Sequence, residues 1–217
     1  MKKTIVVVGA GPGLGNAVAR EFAAHGFRAA LVARSEAHLA AYAEAFRREG
    51  IEVDTEAADA ARPETLTRAL SALTERLGTP DVLVYNVGVT APDGDRAITS
   101  ELLMERYQID AASAWHCARL TATEDFAAKR GAILFTGGGF AQTFRPVPGL
   151  VPLCIDKAAL RAMACILHQQ LAPRGIFAGT VLIRGVIAPG DARYDPAVIA
   201  RVYWDMYEKR QDREILY

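Results

Sequence analysis

Val8-Gly9-Ala10-Gly11-Pro12-Gly13-Leu14-Gly15 closes the apolar run Ile5 to Val8 and leads straight into a stretch of helical period from Asn16 to His25. Strand, glycine turn and helix start are contiguous. Glycines in such a turn leave backbone N–H groups uncovered at the positive end of the helix, where a phosphate can settle on them. The spacing of Gly9, Gly13 and Gly15 fits G-x-x-x-G-x-G, whereas G-x-G-x-x-G fails at Leu14 counted from Gly9 and at Asn16 counted from Gly11. The stretch reads as a nucleotide cradle, with Leu14 inside it. An ordinary tight turn between strand and helix is the plainer alternative.

Working outward, short β-rich runs alternate with longer stretches of helical period, the pattern of parallel strands joined by crossover helices. Strands are predicted at Thr4 to Val8, Arg28 to Ala33, Ile51 to Ala57, Val82 to Tyr85, Ala132 to Thr136 and Phe177 to Ile183, with a last one at Glu214 to Tyr217. Helices are predicted at Leu14 to His25, Glu36 to Arg48, Pro63 to Leu77, Ser100 to Lys129 with one break, and Ile155 to Leu171. Gly26, Gly50, Gly78, Gly131 and Gly175 each fall between a helix and the next strand, where a C-cap favours positive φ. The expectation is a doubly wound parallel sheet in three α/β/α layers, one domain over residues 1–217. A surface loop is expected from Ala188 to Pro196.

Lysine plus arginine equal aspartate plus glutamate at 25 each, so no net field draws the chain to nucleic acid or an acidic membrane. Small-molecule chemistry is favoured. Cys117, Cys154 and Cys165 are odd in number and lack metal or disulfide spacing, which fits a reducing cytoplasm and no metal site. The apolar run after Met1-Lys2-Lys3 stops too soon for a signal peptide, and no other segment reaches a membrane span.

In such a sheet ligands bind beyond the carboxyl ends of the strands. After the second strand, Ala33-Arg34-Ser35 offers a forked cation and a hydroxyl where an NAD site usually places an acid. NADP(H), with its 2′-phosphate, is the better fit. A solvated arginine at a helix start is the alternative. Asp59 after the third strand suits the adenine amino group, or equally a cap for the helix starting near Pro63. Asn86 in Tyr85-Asn86-Val87-Gly88 suits a bond across the sheet, a place in the cofactor groove, or both. The fifth strand ends in Thr136-Gly137-Gly138-Gly139, which offers room and backbone but no reactive side chain.

The glycine spacing, Asp59, Asn86-x-Gly88 and Lys157-Ala-Ala-Leu160 opening a helix together resemble the short-chain dehydrogenase/reductase family over essentially the whole chain. The resemblance implies a Rossmann fold of seven parallel strands, a nicotinamide cofactor, and homodimers or homotetramers built on the fourth and fifth helices. It also implies a proton-donating tyrosine four residues before the lysine, a substrate-orienting serine after the fifth strand and an asparagine in the fourth helix. Those positions here hold Leu153, Gly138 and Asp110. Lys157 remains, with binding of the nicotinamide ribose as its implied role. The proline-glycine usual after the sixth strand is replaced by Arg184-Gly185.

Positioned acid catalysis is worth ~10²–10⁴-fold, so an ordinary ketone reductase needs a substitute for the tyrosine. Cys154 lies three residues before Lys157 and could donate a proton, although a buried apolar thiol is the commoner outcome. Arg145, Arg184 and Tyr194 fall in segments expected over the nicotinamide, where an arginine pair could clamp an anionic substrate. His25, His38, His116 and His168 fall within helices away from the strand ends. The stripe Val198, Ile199, Val202, Tyr203, Met206 and Tyr207 reads as core or subunit contact. Two readings lead: an atypical NADP(H)-dependent oxidoreductase acting on a small carbonyl or enone, or an inactive NADP(H)-binding sensor or interaction protein; Arg34 and Ser35 argue against a third, a flavin or other nucleotide in the same cradle.

Overall fold

A computed structural model describes residues 2–143 and 147–217. Its centre is a seven-stranded sheet in the order β3-β2-β1-β4-β5-β6-β7, parallel throughout. The strands are β1 (Thr4–Val8), β2 (Arg28–Ala33), β3 (Val53–Ala57), β4 (Val82–Tyr85), β5 (Ala132–Gly138), β6 (Phe177–Ile183) and β7 (Glu214–Leu216). β1, β4, β5 and β6 are buried along their whole length, as expected of strands covered on both faces by helices. One apolar cluster joins Val6, Leu83 and Ile133 to α3 (Pro63–Leu77) and α8 (Val151–Leu171), and the other joins Val7, Val84 and Val181 to α1 (Leu14–Ala24) and α9 (Pro196–Lys209). The sheet is therefore the Rossmann-type three-layer arrangement expected.

Local chemistry sets the helix starts and moves several boundaries. α2 (Glu36–Arg48) is capped by Ser35, whose hydroxyl accepts from the His38 N–H, and α9 by Asp195, whose carboxylate accepts from Ala197. β3 begins two residues later than expected, because the Ile51 N–H turns back to Phe46 O and closes the end of α2. β5 runs two residues further, since Gly137 and Gly138 still pair with Leu182 and Ile183. α8 begins at Val151 rather than Ile155, and the Val151 N–H donates to the buried Asp93 carboxylate at 2.7 Å. The stretch expected as a once-broken helix is α4 (Ser100–Tyr107), a π-turn (Gln108–Ala112), α5 (Ser113–Thr121) and α6 (Glu124–Ala128), and the short α7 (Phe140–Thr143) follows β5.

Strand order reverses between β1 and β4, and the cleft used by ligands in this architecture opens there. No helix among the described residues is long and apolar enough to cross a membrane.

Candidate cofactor and active site

A cleft of about 410 Å³ lies over the carboxyl ends of β1, β2 and β4, and Gly9, Arg34, Asp59, Asn86 and Gly88 all line it. Five of the residues singled out in the sequence thus converge. Gly9 has φ +92°, and a Cβ there would lie 2.7 Å from the Val87 nitrogen. A Cβ on Gly15 would lie 2.4 Å from Gly9 O. Both glycines are required by close backbone approach. A Cβ on Gly11 or Gly13 would meet no protein atom within 4 Å, so the turn is open on the side that a phosphate would occupy. Leu14 instead packs into the core below the turn.

The next loop, residues 86–89, is held from three directions. Asn86 Nδ2 donates to Gly9 O at 3.0 Å, Lys157 Nζ donates to Val87 O at 3.4 Å, and the Val89 N–H donates to both carboxylate oxygens of Asp110 at 2.9 and 3.1 Å. Asn86 both bonds across the sheet and lines the cleft. Asp110 sits in the π-turn, whose extra residue per turn is a device often found at functional sites. Gly88 leaves room for the ammonium group behind it, since a Cβ there would lie 3.1 Å from Lys157 Nζ.

Lys157 reaches this loop from α8 and also donates to Thr136 O at 2.9 Å. It is 5% exposed, so burial pulls its pKa down, while Asp110 and Asp156 push it up. Burial raises Asp110, opposed chiefly by Lys157. Asp156 is pushed up to about 7, by burial first and then by Asp110, and its Oδ2 is buried without a hydrogen-bond partner. Arg106, 9% exposed, is the second cation acting on both carboxylates.

The ends of β5 and β6 are furnished differently. A Cβ on Gly138 would lie 2.5 Å from the Phe140 ring and 3.3 Å from Lys157 Cγ, and one on Gly139 would lie 2.4 Å from Arg184 Cγ. Leu153 is buried one helical turn before Lys157, on the same face of α8. Arg184 is exposed, with its backbone fixed by the bond from its N–H to Tyr217 O. A Cβ on Gly185 would strike the Tyr194 ring.

Other sequence-selected residues have additional or different engagements. The Ser35 hydroxyl accepts a bond as the α2 cap, leaving its proton for a further acceptor. Asp59 Oδ1 accepts from Ala61 and Oδ2 pairs with Arg62 at 3.4 Å, so it shapes the turn before α3, whose N-cap position is Arg62. Arg34 is exposed and forms no ion pair among the described residues. Cys154 Sγ accepts from the Val147 N–H at 3.4 Å. His25 stacks on Trp204, His116 bonds Thr67, and His168 bonds Ala178 O. Arg145 lies outside the described residues. Sequence reasoning missed Phe140, Asp156 and the hub role of Thr136. A carboxylate directly before Lys157 in an apolar helix was the available signal for Asp156.

A family model described as short chain dehydrogenase matches residues 3–192, and the chain belongs to that family. It is 32% identical over 185 residues to the granaticin polyketide synthase putative ketoacyl reductase 1 of Streptomyces violaceoruber, covering 83% of this chain and 66% of that relative. Among solved structures it resembles L-sorbose reductase from Gluconobacter frateurii complexed with NADPH and L-sorbose, with TM-score 0.89 and 20% identity over 100% of this chain and 95% of that one. It also resembles an alcohol dehydrogenase from Thermococcus sibiricus complexed with 5-hydroxy-NADP, with TM-score 0.85 and 23% identity over 99% and 95% of the two chains. These structural likenesses concern the fold.

Proposed function

We propose that the chain binds NADP(H) and acts as an atypical short-chain reductase on a small carbonyl or enone, with its proton supplied by a group other than tyrosine. The observation that carries the cofactor assignment is the cleft itself, lined both by Gly9 of an open glycine turn and by Arg34, which forms no ion pair among the described residues. The phosphates would be held by the Gly9–Gly15 turn and the start of α1, the 2′-phosphate by Arg34 and Ser35, the adenine beside Asp59, and the nicotinamide ribose by Lys157. When bound, NADPH supplies a hydride, and carbonyl reduction needs one proton besides. L-sorbose reductase complexed with NADPH and the Thermococcus sibiricus alcohol dehydrogenase complexed with 5-hydroxy-NADP support the same cofactor.

The apolar furnishing at β5 supports a second reading, an inactive NADP(H)-binding sensor or interaction protein. Leu153 and Gly138 stand where the family resemblance implies an acid and a substrate-orienting hydroxyl, and the Phe140 ring fills the space such a hydroxyl would need. Exposed Met104 on α4 and Ile155 on α8, 66% and 48% accessible, support a homodimer or homotetramer under either reading.

Titration with NADPH and NADH, followed by a turnover screen on ketones and enones, separates these outcomes. Tight NADPH binding with turnover supports the reductase, tight binding with no turnover supports the sensor, and no binding of either nucleotide overturns both. Arg34→Ala is expected to weaken NADPH about tenfold or more while leaving NADH nearly unchanged. Equal losses would refute the 2′-phosphate assignment.

A further inference from the structure

Tyr203, on α9, is completely buried among the apolar side chains of α1, β1 and β6, where phenylalanine would pack equally well. Its hydroxyl lies 2.7 Å from Thr136 Oγ1, which in turn lies 2.8 Å from Asn86 Oδ1. The direction of this chain is fixed by elimination. Asn86 must present its NH₂ to the Gly9 carbonyl, so its oxygen accepts, and the single Thr136 hydroxyl proton goes to that oxygen. The Tyr203 O–H therefore donates to Thr136. Three side chains, on α9, on β5 and just beyond the end of β4, thus form one polarised relay that ends on the carbonyl of the cradle's first glycine.

Thr136 also engages the other half of the site, because its carbonyl accepts from Lys157 Nζ at 2.9 Å. The Gly9 carbonyl that ends the relay is confined on its far side by Gly15, where a Cβ would come within 2.4 Å. Turning that carbonyl rotates the peptide that starts the glycine turn. We propose that Tyr203 and Thr136 are positioning residues, whose hydroxyls fix the glycine turn against the Lys157 side of the cleft and so set cofactor affinity from beneath the site. The proposal rests on the NADP(H) reading for its effect on affinity, and on hydrogen bonds alone for its effect on the turn.

Tyr203→Phe removes one oxygen and keeps the ring, and Thr136→Val removes the hydroxyl while keeping the carbonyl bonded to Lys157. Each is expected to weaken NADPH binding by about threefold to thirtyfold, the range that one or two lost hydrogen bonds convert to. Thr136→Ser restores the hydroxyl and is expected to bind within about twofold of the parent. The control Met206→Leu repacks the same buried helix face and is expected to lower thermal stability without changing affinity. In the nucleotide-free protein, amide hydrogen exchange over residues 9–15 is expected to quicken in Tyr203→Phe and Thr136→Val and to stay at the parent rate in Thr136→Ser.

Unchanged affinity and unchanged exchange in Thr136→Val would overturn the proposal, even if Tyr203→Phe failed to fold. A parent protein that binds no NADPH would overturn the cofactor reading and the affinity claim together. The exchange comparison would then still decide whether the hydroxyls hold the turn.

Discussion

The ends of β1 and β4 and the ends of β5 and β6 are both lined by glycines, but those glycines are demanded by different neighbours. At the first, a Cβ on Gly9 would strike the Val87 nitrogen and one on Gly15 would strike Gly9 O, so the obstacle is backbone. At the second, a Cβ on Gly138 would strike only side chains, the Phe140 ring first, while one on Gly139 would strike both the Arg184 side chain and, at 2.9 Å, its Cα. The Gly9 N–H is bonded to Val32 O and the Asn86 N–H to Val8 O, so this backbone cannot yield without breaking those bonds, whereas a ring can swing away. The cradle is thus fixed by the fold, whereas Gly138 at the other end is opposed by exchangeable side chains alone.

The largest effect should come from challenging the fixed end. Gly15→Ala forces a methyl group against Gly9 O and to 3.0 Å from Asn86 Nδ2, and is expected to cost about 3 kcal/mol of stability or more. NADPH binding should become undetectable in the same titration. Gly13→Ala provides the contrast: its Cβ meets no protein atom, so thermal stability should hold while affinity falls if phosphate occupies that space. Normal stability in Gly15→Ala would break the comparison at its stronger side.

Lys157→Met tests the join between the two regions. It removes a cation from between Asp110 and Asp156 and leaves the Thr136 and Val87 carbonyls without their donor. A loss of about 2–4 kcal/mol is expected by denaturant unfolding, since removing one partner leaves buried charge uncompensated.

At the exchangeable end, Gly138→Ser should cost about 2 kcal/mol alone and much less in the Phe140→Ala background, where the ring no longer opposes the new Cβ. A double-mutant cycle of thermal melts measures this coupling, and simple additivity would show that Phe140 is not the obstacle. The same double variant is the proper background for Leu153→Tyr, with appearance of ketone reduction as the readout.

The two regions also differed in how much the sequence disclosed. Periodicity and glycine punctuation located the strands, because burial on both faces leaves apolar runs that few other structures produce. Gly9, Arg34, Asp59, Asn86 and Gly88 were legible as a group because each stands at a strand end, and strand ends meet in this architecture. Phe140 covering Gly138 was not legible, since it depends on the direction of a side chain in a four-residue helix. The π-turn was also hidden: one extra residue in a helix leaves no compositional trace, yet it places Asp110 against Val89.

Asp156 sharpens the comparison most gently, because it is buried beside Lys157 in the chain and does not line the cleft. Its folded pKa of about 7 exceeds the 3.8 of an ordinary aspartate, so between those values the folded state holds more protons than the unfolded one. Stability therefore declines as pH rises from about 4 to about 7, and the penalty is fully present above pH 7. The cause is burial reinforced by Asp110, against which Lys157 and Arg106 act only in part. Asp156→Asn keeps the shape and removes the ionisation. It is expected to gain about 1–2 kcal/mol over the parent at pH 8 and almost nothing at pH 4, read from denaturant midpoints at the two pH values. A gain of the same size at both would mean that packing, rather than charge, limits this position. A loss at pH 8 would mean that the ionised carboxylate is needed by Lys157, and that the two cations offset its burial.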